Sequence, residues 1–434
     1  MCSIAHFSIR ICAEASQILG SQRRNRIRDF SARSSALKRF GMEEAMEQVK
    51  LGIIGIGNMG SGHCRTILDG EVPELKLVAV ADRREARREW AKENLPSDVQ
   101  IFEEGDELIE SGVCDAVLIA VPHYDHPRLV MSALEHGQHA LCEKPAGVYT
   151  KQVREMNEAA EKSDKVFAMM FNQRTNHVYR KMHEIVQGGQ YGQIKRVNWI
   201  ITDWYRTQAY YNSGGWRATW AGEGGGVLLN QCPHNLDLLQ WICGLPVKVQ
   251  AFCHNGKWHD IEVEDDVTAY LEFENGATGV FVTTTADAPG TNRFEVTLEK
   301  AKLVCEDNKL YFYVLDESER EYCFTATEGF KKPDGKEVEL ETDGENPQHA
   351  GVMRAFAAKI LRDEPLVADG KEGIRGLMLS NAMHLSSWLG RPVTLPIDEE
   401  LFLEKLNELR KNSRAKENVR EVTFQTEGSY GSGK

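Results

Sequence analysis

The sequence predicts an α/β protein. An N-terminal Rossmann-type, doubly wound parallel sheet is followed by an α+β domain with a large, open, mainly antiparallel sheet. Three observations predict it. Residues 49–62 pass from a short apolar run through Gly55-x-Gly57-x-x-Gly60 into a helical pattern, which reads as strand, tight turn and helix start. Apolar strands then alternate with helical stretches over residues 47–171, as parallel βα units require. Beyond Phe171 the pattern changes to longer alternating strands.

At 434 residues the chain exceeds one ordinary core, so two domains are expected. The expected division is an extension over 1–45, a nucleotide-binding domain over 46–171, a substrate-binding and oligomerisation domain over 172–415, and a tail over 416–434. Apolar residues make up 41% and charged residues 27%, the balance of a soluble globular protein. No run approaches the roughly 18 apolar residues of a membrane helix, so no membrane partner is expected. A net charge of −13 argues against nucleic acid, which calls for a basic face. Ten cysteines are scattered without Cys-x-x-Cys or zinc-type spacing, which reads as reduced thiols in a cytoplasmic setting with no metal.

Residues 1–41 hold eight Lys/Arg against two acids, net +6, so the remainder of the chain carries −19. Their Arg- and Ser-rich bias resembles a mitochondrial transit peptide. A disordered tail, or an extension ahead of a natural start at Met42 or Met46, is the reading preferred here.

Each glycine of the first turn has a physical task. Gly55 allows the tight turn, Gly57 lets the backbone approach a pyrophosphate, and Gly60 lets the helix lie close on the strand. The free amides of the helix start, with Asn58 and Met59, face the phosphates. A second strand, Leu75–Ala81, ends at Asp82, 22 residues after Gly60, where this fold places an acid against the adenosine ribose hydroxyls. Asp82 could equally cap the helix that follows. Its carboxylate repels a 2′-phosphate and so favours NAD over NADP, although Arg83 and Arg84 stand beside it. A third strand over 116–121 leads into Pro122-His123-Tyr124-Asp125-His126, and a fourth, His139–Cys142, leads into Glu143-Lys144-Pro145. A fifth, over 165–171, closes the domain. Strand ends in such a sheet face the ligand crevice, which gathers Val121, Pro122, His123, His126, Glu143 and Lys144 near the nicotinamide.

Those features, in that order and at that spacing, resemble the glucose–fructose oxidoreductase / inositol dehydrogenase (Gfo/Idh/MocA) family, with Glu143-Lys144-Pro145 as the most telling mark. The resemblance implies that Lys144 lies by the nicotinamide ring and the substrate hydroxyl, and that the peptide bond before Pro145 is cis. It also implies that the open sheet packs against a second subunit, giving a homodimer or homotetramer.

Candidate strands of the second sheet lie at 194–204, 248–254, 267–273, 278–286, 294–298, 301–306 and 309–315. Asn275-Gly276 is the strongest hairpin signal in the chain. Between these strands, Trp204-Tyr205-Arg206, Tyr210-Tyr211, Trp216-Arg217 and Trp220 lead into a glycine run and then Asn230-Gln231-Cys232-Pro233-His234. Aromatics interleaved with arginines suit a sugar, whose C–H faces stack on rings while its hydroxyls take fixed donors and acceptors. Tyr205, Arg206, Tyr211, Trp216, Arg217 and Asn230 are the candidates for holding it. Pro233 fits the first turn of a helix, where the helix dipole disfavours a charged His234. Family members commonly show Asp-x-x-x-His here, both residues reaching the carbinol; this chain has Asn230 in place of the aspartate. Hydroxyl binding survives that change, but a carboxylate-assisted base does not.

The resulting expectation is an NAD-dependent oxidoreductase acting on a secondary hydroxyl of a sugar, cyclitol, polyol or glycoside, with His234 and Lys144 catalytic. Two rivals are a glycosidase working by transient oxidation on tightly held NAD, and a non-catalytic NAD-sensing regulator. The Lys144/His234 pair argues against the second.

Overall fold

The computed structural model describes residues 47–414, 416 and 419; the expectations for the N-terminal extension and for most of the tail lie outside the described residues. Strands β1 (Val49–Ile54), β2 (Leu75–Ala81), β3 (Gln100–Phe102), β4 (Ala116–Ile119), β5 (His139–Cys142) and β6 (Phe167–Met169) form a six-stranded sheet in the order β3-β2-β1-β4-β5-β6. Every pairing in it is parallel. Helices α1 (Asn58–Leu68), α2 (Glu85–Asn94), α3 (Gly105–Glu110), α4 (His126–Glu135) and α5 (Thr150–Lys162) connect the strands. The order reverses between β1 and β4, which opens the crevice at their carboxyl ends.

The sheet has one strand more than the five expected. β3 is three residues long and followed by Glu103-Glu104, too short and too polar to announce itself. Gly55 is needed where it stands: its φ is +88° and a Cβ there would lie 2.6 Å from the Ala120 carbonyl oxygen. At Gly60 a Cβ would lie 1.9 Å from the Gly55 carbonyl oxygen, so helix α1 approaches strand β1 only through glycine.

The second sheet has nine strands: β7 (Ile194–Ile201), β8 (Lys248–Asn255), β9 (Glu264–Glu272), β10 (Thr278–Thr284), β11 (Asn292–Leu298), β12 (Ala301–Glu306), β13 (Lys309–Leu315), β14 (Gly335–Val338) and β15 (Val393–Thr394). Their order is β14-β13-β12-β11-β7-β10-β9-β8-β15. The pairing is antiparallel except between β10 and β7. β9 and β10 are joined at Asn275-Gly276, with Gly276 at φ +83°. β14 and β15, of four and two residues, carry too little pattern to be read from sequence. Residues 202–204 and 285–286, expected within strands, lie beyond the ends of β7 and β10, and of them Trp204 lines the cavity described below.

The remaining helices are α6 (His177–Gln187), α7 (Gln208–Tyr211), α8 (Pro233–Cys243), α9 (Glu319–Thr325), α10 (Gln348–Arg362), α11 (Gly373–Leu389) and α12 (Glu399–Lys411). α11 packs on β8 and against α8, covering one face of the nine-stranded sheet. The other face is open and carries Phe252, Tyr270, Tyr311 and Tyr313. α10 packs elsewhere: Val352, Met353 and Phe356 share a core with Leu51, Ile53 and Leu118 of the parallel sheet.

One buried ion pair ties these parts together. Arg174, in the turn Asn172–Thr175 after β6, donates through Nε and Nη2 to the two carboxylate oxygens of Asp237 on α8, at 2.8 and 2.7 Å, and through Nη1 to Glu372 at 2.7 Å. Arg174→Ala leaves Asp237 charged, buried and without its partner, and is expected to cost about 3–5 kcal/mol. Reversible chemical denaturation checks this, and a loss under 1 kcal/mol would contradict the assignment.

Candidate functional site

A cavity of about 750 Å³ runs from the glycine turn of β1–α1 to the start of α8. One wall comes from the parallel sheet: Gly55, Gly57, Asn58, Met59, Asp82, Arg83, Val121, Pro122, His123, His126, Glu143 and Lys144. The other comes from the second sheet's loops: Tyr205, Arg206, Trp216, Arg217, Asn230 and His234, with Trp204, Tyr210 and Gln231.

At the first end the backbone is open to a phosphate. A Cβ on Gly57 would meet only Arg84, whose Nη2 would lie 3.6 Å from it. Asp82 accepts from the Ile56 amide at 3.0 Å and from the Arg84 amide at 2.9 Å. It does not cap α2, whose N-cap is Arg84, so the carboxylate is fixed at the strand end beside the cavity. Arg83 is paired with Glu104 at 2.7 Å. This cradle fits a dinucleotide's pyrophosphate and ribose.

Toward the middle, Glu143 accepts from His63 of α1 at 2.7 Å and from the Lys144 amide at 3.2 Å. Burial alone would raise the Glu143 carboxyl, but the His63 hydrogen bond and the charges of His63, His349 and Lys144 hold it at about 2. The Lys144–Pro145 peptide bond is cis, in keeping with the resemblance. The Lys144 ammonium donates from Nζ to the Asn230 carbonyl at 3.1 Å, and burial lowers its pKa against the opposing pull of Glu143 and Glu223. His123 and His126 are structural in their hydrogen bonding. His123 donates from Nδ1 to the Glu223 carbonyl at 3.3 Å, and His126 lies between the carbonyls of Pro145 and Val121 at 2.7 and 2.8 Å. Both rings have their pKa lowered, chiefly by burial.

Among the described residues His234 is the one cavity-lining histidine without a hydrogen bond, and Arg217 Nε and Gln231 Oε1 share its unpartnered state. His234 is 3% exposed, and neither Nδ1 nor Nε2 has a hydrogen-bond partner. Burial, and next the positive charge of Lys144, hold its pKa well below the ordinary value. A buried imidazole left with both nitrogens unspent is costly in isolation, and two unspent nitrogens at a cavity wall are what a ligand hydroxyl would satisfy.

Asn230, where the resemblance implies an aspartate, is held by a buried acid. Its amide nitrogen donates to Glu223, a carboxylate only 1% exposed that also accepts from the Ala218 amide at 2.5 Å. Because a carboxylate only accepts, the Nδ2 side faces Glu223 and the Oδ1 side remains as an acceptor. Burial raises the Glu223 pKa, opposed chiefly by Arg217. Sequence reasoning missed Glu223: one acid among glycines, seven residues before Asn230, has no periodic signal.

Of the substrate candidates, Tyr211 is corrected. It is 1% exposed, its hydroxyl meets Thr285 at 2.7 Å, and it lies behind the wall. Adjacent residues in the single turn α7 point in different directions, and Tyr210 is the one at the cavity. There it accepts from Arg217 Nη1 at 2.7 Å and from Gln231 Nε2 at 3.1 Å.

A glycine-turn parallel sheet joined through one cavity to a lysine and an unsatisfied histidine defines a dinucleotide-binding oxidoreductase. Residues 49–171 match the family model described as "Oxidoreductase family, NAD-binding Rossmann fold", and residues 179–304 match the "GFO/IDH/MocA C-terminal domain". The two cover more than half of the chain, which belongs to the Gfo/Idh/MocA family of NAD-binding oxidoreductases. Among similar proteins is the myo-inositol 2-dehydrogenase of Thermotoga maritima, 25% identical over 357 residues that span 80% of this chain and 98% of that protein. The D-glucoside 3-dehydrogenase of Escherichia coli is 28% identical over 222 residues, 47% of this chain and 61% of that protein. The WlbA dehydrogenase of Bordetella pertussis, solved with NADH and UDP-GlcNAcA, shares the fold. Its TM-score is 0.68 at 23% identity, over 81% of this chain and 100% of that one.

The electrostatics are testable without substrate. In NMR spectra of the imidazole nitrogens, His234 should remain neutral at pH 6.5 and take its proton only well below it. Labelling by a small amine reagent across pH, read by peptide mass spectrometry, should titrate Lys144 below the 10.5 of an ordinary lysine. A charged His234 at pH 6.5, or an ordinary Lys144, would contradict the buried, mutually repelling arrangement.

Proposed function

We propose that the chain is an NAD-dependent dehydrogenase that oxidises a secondary hydroxyl of a sugar, cyclitol or glycoside. The observation that carries this reading is His234, neutral, buried and with both nitrogens unpartnered, in a cavity shared with Lys144 and the glycine turn. When bound, NAD supplies the hydride acceptor in its nicotinamide ring. His234 takes the hydroxyl proton as general base. Lys144, steadied by the Asn230 carbonyl, stabilises the negative charge that develops on the carbinol oxygen. Asn230 accepts from a neighbouring hydroxyl through Oδ1. Trp216, Tyr205 and Tyr210 offer ring faces to the sugar, with Arg206 and Arg217 beside them.

The names of the relatives, an inositol and a glucoside dehydrogenase, support the substrate class. The fixed carboxylate of Asp82 and the commitment of Arg83 to Glu104 support NAD over NADP. The aromatic, uncovered face of the nine-stranded sheet supports association with a second copy through that face. The eight cysteines among the described residues are all unpaired, in keeping with a cytoplasmic setting. Among the described residues no helix is long and apolar enough to cross a membrane.

Two measurements test the reading. Purified protein with NAD should form NADH on at least one member of a panel of sugars, cyclitols and glycosides. Lys144→Ala and His234→Ala should each lower kcat on the order of 10²-fold or more with NADH affinity nearly unchanged. Aglycone release at catalytic turnover without net NADH would replace the dehydrogenase with a transient-oxidation glycosidase. Separately, NADH should bind more tightly than NADPH, and Asp82→Ala should narrow that gap by roughly tenfold, about 1.4 kcal/mol. Tighter NADPH binding by the unmodified protein would reverse the cofactor assignment.

A further inference from the structure

Glu143 reaches the cavity with one histidine at its back. His63 lies on α1 one turn beyond Gly60, buried at 2% exposure and behind the cavity wall. It donates from Nε2 to Glu143 Oε1 at 2.7 Å, and among the described residues it is the one side chain that hydrogen-bonds this carboxylate. The second oxygen takes the Lys144 amide at 3.2 Å, and the Glu143 amide is bonded to the Ile119 carbonyl at 2.9 Å, at the end of β4. One helix thus serves two needs: its start meets the phosphates, and its second turn steadies Glu143.

A buried carboxyl left without a donor takes its neutral form. Burial pushes Glu143 that way, and the His63 hydrogen bond is the first of the influences that reverse it. His349, at the start of α10 with its ring 5.4 Å from that of His63, is held at about 4, chiefly by burial, so it is uncharged near neutral pH and cannot stand in for His63. The anion kept in this way bears on Lys144. Burial lowers the Lys144 pKa; Glu143 leads the groups that oppose burial, Glu223 follows, and Arg217 and Arg206 side with burial. The rings of His123 and His234, which also feel Lys144, are held neutral chiefly by burial. Lys144 can stabilise a developing alkoxide only as an ammonium, so its work depends on a carboxylate that depends on His63.

We propose that His63 is a positioning residue: from behind the cavity wall, it holds through one hydrogen bond the carboxylate that serves Lys144 as counterion. The inference rests on the dehydrogenase reading and adds a residue that acts on its site from outside.

The state of Lys144 is read first in the ligand-free protein, by amine labelling across pH. His63→Leu removes the donor and leaves Glu143 neutral, so the midpoint for Lys144 should move to lower pH. His63→Gln restores a donor and should return the midpoint toward that of the unmodified protein. In turnover with NAD and the sugar that the unmodified protein oxidises, the high-pH limb of the kcat profile should move the same way. His63→Leu should lower kcat roughly tenfold or more, and His63→Gln should recover most of it. An unmoved midpoint in His63→Leu overturns the proposal, and so does a moved midpoint with unchanged kcat. A moved midpoint in a protein that oxidises no sugar keeps the coupling and overturns the dehydrogenase reading instead. If His63→Leu does not fold, Glu143→Gln and the double variant decide it: both should show the lowered midpoint, equal to one another, because His63 acts only through Glu143. An unmoved midpoint in Glu143→Gln, or a further shift in the double variant, overturns the proposal.

Discussion

The arrangement of the site depends on a single guanidinium. Arg174 follows the last strand of the parallel sheet, Asp237 lies one turn beyond His234 on α8, and Glu372 stands just before α11. Asp237 would be strongly disfavoured alone in this interior and is tolerable because Arg174 meets both of its oxygens, while the third prong of the fork reaches the partly exposed Glu372. The helix that presents His234 is therefore held to the end of the sheet that presents Lys144. Phe171, three residues before Arg174, closes the arrangement by turning its ring against the His234 imidazole, at 6.4 Å between centroids. Hydrophobic packing alone tolerates small slides of one element over another; a two-pronged ion pair fixes both distance and angle.

A second constraint acts on the loop before α8. Glu264, fully buried on β9, accepts from the amides of Gly226 and Leu228, so the glycine run is bonded to a strand of the sheet. Gly226 is obligatory there, since a Cβ would lie 2.0 Å from the Glu264 carbonyl oxygen. Asp265, the next residue, accepts from the amides of Lys257, Trp258 and His259, and the His259 ring reaches the Arg206 carbonyl at 2.9 Å. Two adjacent buried acids on one strand thus brace both loops that carry the sugar-facing side chains. Their oxygens are taken by backbone amides and by the rings of His384 and His259 beside them.

How much of this was legible in the sequence follows from how local each feature is. The glycine turn, Asp82, Lys144 and His234 were readable because each owes its position to a strand end or a helix start a few residues away. The nine-stranded sheet was readable in its long alternating members and unreadable in β14 and β15, which are strands only because a neighbour offers an edge. Glu223 was invisible because its role depends on Asn230, Ala218 and Arg217 converging in space. The choice between Tyr210 and Tyr211 turned on the phase of a four-residue helix, which no periodicity can set. Asn230 was readable, but its buried partner was not: the Glu223 carboxylate lies behind it and orients its amide.

Helix α10 has a consequence for how the chain is made. All six strands of the parallel sheet have been made once residue 169 has emerged, yet one of its faces is finished by Val352, Met353 and Phe356. A ribosome adding about 5–20 residues per second needs on the order of ten to forty seconds to deliver that helix after the last strand. For that interval the nascent sheet presents Leu51, Ile53 and Leu118 with their covering helix still unmade. The nucleotide cradle thus matures only when nearly the whole polypeptide has been synthesised, and the growing chain must be shielded from its neighbours until then.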